Sequence, residues 1–228
     1  MAKLHAGIVE HGTCFFAIEQ THGRGQRGRE WVSEPGDNIT MSTIYAPAHN
    51  VSAKITTFPF LLSAYIALGC YDYIKDYGIQ DVTIKWPNDL YVGDRKAAGI
   101  LIDNIYQGSA WHWAVVGTGV NINQENFPEK AIRAVSLKML TGTHYNTINA
   151  GKRLFSVLSD RFEKLQFNSV DKIMKEYNLH LYRKGDEVKL KKDNIVFAAR
   201  ISHVTANGEL IINAGTEQAF KVGEVEFV

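Results

Sequence analysis

The chain is poor in the residues that announce most site chemistries. Its 228 residues hold two cysteines, Cys14 and Cys70, each alone in an apolar context. Neither belongs to a metal-spaced set, and two isolated thiols read as reduced core residues of a reducing compartment. Lysine and arginine number 25 against 24 acids, a net charge of +1. A basic footprint for nucleic acid is thereby excluded, and any positive site must be local. No apolar run approaches the roughly 18 residues of a membrane span, and the opening MAKLHAG lacks the apolar core of a signal peptide. No Ser-His-Asp or Cys-His pairing suggests itself. Neither a repeat nor a low-complexity tract is visible. These absences predict a cytoplasmic protein without membrane or nucleic-acid partners and without a covalent nucleophile.

What is present is an ordinary globular composition, 45% hydrophobic and 21% charged, long enough for one large domain and a small appendage. TCFFAIEQ (13–20) reads as a buried strand, ITMSTIYA (39–46) as a second. FPFLLSAYIALGCYDYIKDYG (58–78) predicts a helix closed by Gly78. VTIKW (82–86) and DLYVGDRKAAGILIDNIY (89–106), with a Gly-Asp turn, predict a strand and a hairpin. WHWAVVGTGVNIN (111–123) is a further strand. Strands in succession without intervening helices favour an α+β fold with a mixed or antiparallel sheet. A mixed segment over 129–142 follows. Then comes a helix over 149–167 with Leu154, Val157, Leu158, Phe162 and Leu165 on one side, and a shorter one over 169–181. Near residue 183 the texture changes to short strands with turns at Lys192-Asp193-Asn194, Asn207-Gly208 and Ala214-Gly215. This predicts a catalytic unit over 1–183 and a small barrel-like unit over 184–228.

GRGQRG (23–28) fits the letters of the dinucleotide fingerprint. A dinucleotide site needs a strand before the glycines, a helix opening on them and an acid some 20 residues on. The strand is present. REWVSEPGDN is no helix, and IYAPAHN (44–50) offers no acid. A Walker loop fails as well, because no Gly-Lys-Ser/Thr follows. The informative letters are Arg24, Arg27 and Arg29. On a glycine backbone that admits close approach, their planar forks suit carboxylate and phosphate. The loop is expected to be mobile without ligand.

Three further segments place polar groups at strand ends beside small residues. KWPND (85–89) supplies Lys85, Asn88 and Asp89. DRKAAGI (94–100) supplies Lys96 beside Ala-Ala-Gly. GTGVNIN (117–123) supplies two glycines, Asn121 and Asn123. Sites are built in this way at the rim of a sheet. The set holds cations, amides and one acid, which points to chemistry by positioning and electrostatics. Joining a carboxylate to a nucleotide α-phosphate fits. Two unit charges about 4 Å apart repel by roughly 4 kcal/mol at an effective dielectric near 20, and lysine and arginine remove that repulsion. Trp31 offers a stacking surface for a base.

GRGQRGREW, KWPNDLYVGDRKAAGILI, VVGTGVNIN and FPEKAIRAVSL, in that order, resemble the biotin–protein ligases of the biotin–[acetyl-CoA-carboxylase] ligase type, over essentially the whole chain. The resemblance implies a class II synthetase-like catalytic domain with a small SH3-like carboxy-terminal domain. It implies formation of biotinyl-5′-AMP from biotin and MgATP, and transfer of biotin to one lysine of a biotin carboxyl carrier domain, with no tightly bound prosthetic group. Carried over by motif, Gln20, Gly23, Arg24, Gly25, Gln26, Lys96, Gly99 and Gly117 belong to the biotin site. Lys96 stands between the biotin carboxylate and the α-phosphate. Arg27, Arg29, Trp31, Asn88 and Asn121 hold the nucleotide, Lys85 supports the phosphates, and Asp89 accepts the proton of the incoming lysine. Mg²⁺ is expected to be held mainly by the ATP phosphates, and a homodimer is the expected assembly.

Two departures from the family pattern stand out. Gln26 replaces an arginine common in this loop. The strand and Asp-Ser-Thr-Asn segment that precede it in the family have no counterpart before Gln20, so Met1 reads as an internal methionine and biotin binding is expected to be impaired. MAKLHAGIVEHGT resembles the helix and loop that follow that segment. The DNA-binding domain of repressor-type relatives has no counterpart either. Two alternatives remain: a lipoate–protein ligase-like adenylating transferase, and a non-catalytic carrier-binding module.

Overall fold

A computed structural model of the chain describes residues 8–47, 53–131, 133–165 and 167–228. The expected helix at the start of the chain falls on residues 1–7, outside the described residues, and residues 8–13 form an irregular segment with a turn. In chain order the elements are β1 (Cys14–Ala17), β2 (Asn38–Tyr45), α1 (Ala53–Thr56), α2 (Phe60–Lys75), β3 (Val82–Lys85), β4 (Asp89–Val92), β5 (Arg95–Gln107) and β6 (Ala110–Asn121). Then follow α3 (Leu137–Thr141), α4 (Thr147–Leu165), α5 (Val170–Leu179), β7 (Glu187–Lys192), β8 (Ile195–Val204), β9 (Leu210–Asn213), β10 (Glu217–Phe220) and β11 (Glu226–Phe227). Short 3₁₀ turns lie at Gln26–Gly28 and Glu129–Ala131.

The first six strands form one antiparallel sheet in the order β1-β2-β6-β5-β4-β3. One face is covered by α2 and α4, and α5 packs on α2. The apolar stripe of α4 buries Leu154, Leu158, Phe162 and Leu165, with Val157 half-buried. It lies close on α2 because Gly69 has no side chain: a Cβ there would stand 2.7 Å from Leu158 Cδ2. Arg161 crosses from α4 to Asp72 of α2 at 2.9 Å through Nε and to Glu176 of α5 at 2.8 Å through Nη2. Four helix ends have a chemical cause. Gly78 adopts φ +80° just past α2, Ser136 Oγ accepts from Met139 N and Gly142 closes α3 in the left-handed region, and Ser169 Oγ accepts from Lys172 N to start α5.

The strand expected over 13–20 is shorter than its apolar letters suggest, and it is not buried. β1 sits at the sheet edge, with Phe15 37% exposed and its neighbours half-buried. Cys14 and Phe16 pack on the core, and the Phe16 ring occupies the place a Cβ of Gly151 would take.

Residues 187–227 form a second, five-stranded antiparallel sheet in the order β10-β9-β8-β7-β11, a small SH3-like unit. Left-handed Asp193, Gly208 and Gly215 make its turns, at the three places where turn residues cluster in the sequence. It is tied to the first sheet's end of the molecule by named bonds: Trp86 Nε1 donates to Gly208 O at 2.9 Å, and Asn178 exchanges two hydrogen bonds with the Val204 backbone. The chain that leads into it is held where Arg183 and Tyr182 both bond Asp94.

Candidate active site

The face of the six-stranded sheet opposite the helices is a floor, and cross-strand register decides what stands on it. Residues paired across neighbouring strands point to the same side. Ala17 pairs with Thr40, Phe15 with Ser42, Thr40 with Gly119 and Ser42 with Gly117. Gly119 pairs with Gly99 and Gly117 with Leu101. Asp89 pairs with Gly99 and with Lys85. Gly117, Gly119 and Gly99 are therefore contiguous, and the middle of the floor is bare backbone.

Lys96 reaches this face through an irregularity. It stands three positions before Gly99, and an odd spacing on a regular strand puts two side chains on opposite faces. Between β4 and β5 the register shifts: Leu90 faces Ala98, but Tyr91 faces Lys96. This bulge absorbs one residue and turns Lys96 to the side of Gly99 and Asp89. Its ammonium lies 2.7 Å from Asp89 Oδ1. A Cβ on Gly99 would come within 3.2 Å of the same ammonium, so the glycine makes room for the ion pair. The Lys96 backbone is fixed by Arg133 O, which accepts from Lys96 N at 2.7 Å, and by Val135 N, which donates to Lys96 O at 2.9 Å.

Residues 23–31 form a strap across the floor. Trp31 N donates to Gly23 O at 3.0 Å and Gly25 N to Arg29 O at 2.7 Å, with the 3₁₀ turn at the tip. A Cβ on Gly23 would meet Trp31 O at 2.2 Å, which explains a glycine at the strap's base. The strap is pinned in three places: Arg24 to Asp103 at 3.4 Å, Arg27 to Gly223 O at 2.8 Å and Arg29 to Glu226 at 3.2 Å. These contacts join the strap to β5 and to the carboxy-terminal sheet, and all three lie at the surface. Trp31 lays its indole on Gly119, 2.5 Å from where a Cβ would be, and 5.7 Å from the Lys96 ammonium.

Floor and strap enclose a cleft of about 960 Å³. Gln20, Arg24, Gly25, Gln26, Arg27, Arg29, Trp31, Lys85, Asn88, Asp89, Lys96, Gly99, Gly117 and Asn121 all line it. Gly23 is the one candidate that does not; it is buried at the base of the strap against the Trp31 backbone. Two of the amides are already engaged: Asn88 Nδ2 donates to Ile100 O, and Asn121 Nδ2 to Lys96 O at 3.3 Å and Val135 O at 3.2 Å. Asn123, outside the cleft, exchanges hydrogen bonds with the Tyr145 backbone.

Lys85 stands at the other end of the floor. Its ammonium donates to Tyr91 Oη at 3.2 Å and faces the rings of Tyr91, Phe227 and Tyr182 at 4.5, 5.0 and 5.5 Å. Burial pushes its pKa below the usual lysine value; Asp89 opposes this, and Arg133, Lys96 and Arg29 add to it. Burial raises the Tyr91 phenol to about 12.

Several lining residues escape a reading of the letters. Gly119 carries a signal, standing two residues after Gly117 and so on the same face. Asp103 follows by the same alternation from Gly99. Arg133 has none, because it is placed by a parallel bridge between Lys96 and Ala134. Gly223, Glu226 and Phe227 come from the far sheet. Six cationic side chains and four carboxylates border the cleft. Such a site can neutralise two anionic groups on an uncharged floor and hold them under the strap. Among the described residues no group of His, Cys, Asp or Glu could by itself hold a metal ion, and no helix is long and apolar enough to cross a membrane.

The model of the Biotin/lipoate A/B protein ligase family matches residues 2–121. Among curated proteins, the bifunctional ligase/repressor BirA of Escherichia coli K12 is 32% identical over 126 residues, 55% of this chain and 38% of that protein. The biotin–[acetyl-CoA-carboxylase] ligase of Paracoccus denitrificans is 37% identical over 107 residues, 46% of this chain and 42% of that protein. The match therefore spans about two fifths of the length of either relative. Among solved structures, the biotin protein ligase of Aquifex aeolicus in complex with biotin and ATP has the same fold, with a TM-score of 0.79, 23% identity and coverage of 96% of this chain and 90% of that one.

Proposed function

Since the chain belongs to the Biotin/lipoate A/B protein ligase family, we propose that it is an ATP-dependent biotin–protein ligase. It joins biotin to AMP and passes the biotinyl group to a lysine of a carboxyl carrier domain. The observation that carries this reading is the bare glycine floor with the Lys96–Asp89 pair at its edge and three arginines strapped over it. A flat bicyclic body with a carboxylate tail fits backbone on one side and cations at one end.

In the first step a biotin carboxylate oxygen attacks the α-phosphorus and pyrophosphate leaves. Lys96 lies between the two anions, and Arg24 covers the carboxylate end. Arg27 and Arg29 face the nucleotide, Trp31 its base, and Lys85 the phosphates. Gln20 and the strap residues Gly25 and Gln26 border the biotin body over Gly117 and Gly99. Asn88 and Asn121 serve the nucleotide through the backbone they fix, since their amide groups are committed to carbonyls. In the second step the carrier amine attacks the acyl carbonyl, AMP leaves and the amine loses a proton. Asp89, held by Lys96, stands where that proton is released. Mg²⁺ belongs to the incoming nucleotide: Asp89 and Asp103 are each already paired with a cation, so the ATP phosphates supply most of its ligands. Residues up to 183 form the catalytic unit and residues 184–228 the small carboxy-terminal one.

The test is incubation of the full chain with MgATP, biotin and a carrier domain, read as a mass increase on the carrier, with lipoate in a parallel arm. Modification by biotin is expected. A folded protein that shows neither transfer nor biotin-dependent pyrophosphate exchange is a binding module, and preference for lipoate moves it to the sister activity.

A further inference from the structure

The five-stranded sheet supplies a wall of the cleft, and its most specific contribution is at Lys85. The lysine's ammonium is surrounded by three aromatic rings from three parts of the chain: Tyr91 of β4, Tyr182 between the two sheets and Phe227 of β11. The rings also touch one another, Tyr91 with Tyr182 at 5.2 Å and Tyr182 with Phe227 at 6.0 Å between centroids. Each pair is within the range of aromatic contact, and each ring is within the roughly 6 Å of a cation–π contact. Tyr182 is itself anchored, its hydroxyl donating to Asp94 at 2.7 Å. Phe227 is fixed by β11 pairing with β7, opposite Leu190. A lysine side chain is otherwise long and free to turn, so a cage on three sides decides where its charge points.

We propose that Phe227 is a positioning residue for the adenylation step: with Tyr182 it holds the Lys85 ammonium toward the phosphate end of the cleft, making nucleotide capture depend on the carboxy-terminal sheet. This rests on the ligase reading above and goes beyond it in giving the second sheet a task in the reaction. The phosphates engage the open side of the cage, where Arg29 and Arg133 contribute further positive charge. Phe227 touches no reacting atom.

The substitution Phe227→Leu keeps an apolar side chain of similar bulk and leaves β11 pairing through its backbone, while removing the π face. Biotin-dependent pyrophosphate exchange by the full chain, with MgATP and biotin varied in turn, is expected to show the KM for MgATP rising by about 2- to 30-fold, with the KM for biotin within twofold. Phe227→Trp, with the stronger cation–π face, restores it. The pH profile supplies a readout that loss of structure does not move. The groups facing Lys85 are Asp89, Lys96, Arg29, Arg133 and the phenols of Tyr91 and Tyr182, both raised by burial. The alkaline limb for MgATP therefore follows the lysine, and Phe227→Leu, leaving the site dehydrated but less favourable to a cation, shifts that limb to lower pH. An unchanged KM for MgATP, equal changes in both KM values, or an unmoved limb overturns the proposal. Absence of exchange in the unsubstituted chain overturns the ligase reading instead.

Discussion

Replacing Lys96 by Met tests the electrostatic core of the site most directly. The ammonium lies 2.7 Å from Asp89 and against the Gly99 backbone, so methionine fills its volume and removes only its charge and hydrogen bonds. In the proposed reaction the two anions brought together over this floor repel by roughly 4 kcal/mol at about 4 Å and an effective dielectric near 20. Each 1.36 kcal/mol is tenfold in rate, so complete loss of the screening is worth about 10³. Arg24, Arg29 and Lys85 border the same cleft and share the task, so the expected loss in biotinyl-adenylate formation is about 10²- to 10³-fold, seen in kcat rather than in the KM for biotin. Asp89 is left without its cation, but its side chain is 20% exposed, so water reaches it and the cost in stability is small. The double variant Lys96→Met, Asp89→Asn separates the two effects, matching the parent in thermal stability while remaining inactive. Pyrophosphate exchange is the assay. A loss of less than about tenfold refutes the idea that this lysine's charge governs the step.

Gly119→Ala places a methyl 2.5 Å from the Trp31 indole; an overpacked contact of this kind costs about 1–3 kcal/mol unless the indole leaves the floor, and a raised KM for MgATP with altered tryptophan fluorescence is expected. For Lys85 the native pKa lies below its ordinary 10.5 because of burial. Between the native and unfolded values the unfolded chain binds more protons, so this lysine makes stability rise with pH across that window; titration of unfolding free energy in Lys85→Met is expected to lack that contribution. Burial pushes the Cys70 thiol up to about 12 and raises Cys14 less far, so a thiol reagent at pH 8 reacts with Cys70 only after unfolding. Leu158→Ala removes a fully buried side chain packed on Gly69 and is expected to cost about 2–5 kcal/mol in denaturant unfolding.

Local patterns carried much of this architecture. The stripe of α4, Gly78 after α2 and the Gly93-Asp94 hairpin turn are decided by residues within a few positions of one another, and the structure keeps all three. The lining of the cleft follows from motifs at strand ends, because alternation along a strand fixes a side chain's face once the strand is known. What the letters did not show depends on partners distant in sequence. TCFFAIEQ reads as buried because its residues are apolar, but whether an apolar strand is central or peripheral is settled by the sheet around it, and β1 is at the edge. The strap's contacts are of the same kind. Its pins are Asp103, Gly223 and Glu226, between 79 and 197 residues away. The cage at Lys85 is the same case, since Phe227 reaches it only after the last strand returns to β7.

The bulge in β5 has a consequence for how such a site tolerates change. Side-chain direction along a strand is a two-valued phase, and the extra residue beside Lys96 resets that phase between the lysine and Gly99. Spacing and bulge are therefore a single inherited unit. Deleting Ala97 removes only one small apolar residue, but it leaves the strand free to pair regularly, with lysine and glycine two apart and the hairpin turn out of step. Inserting one residue has the opposite effect on the same relation. A substitution along Lys96–Gly99 changes one side chain, whereas a change of length reverses the facing of everything on one side of it. A relative with a different spacing in this segment must carry a different irregularity to arrive at the same floor.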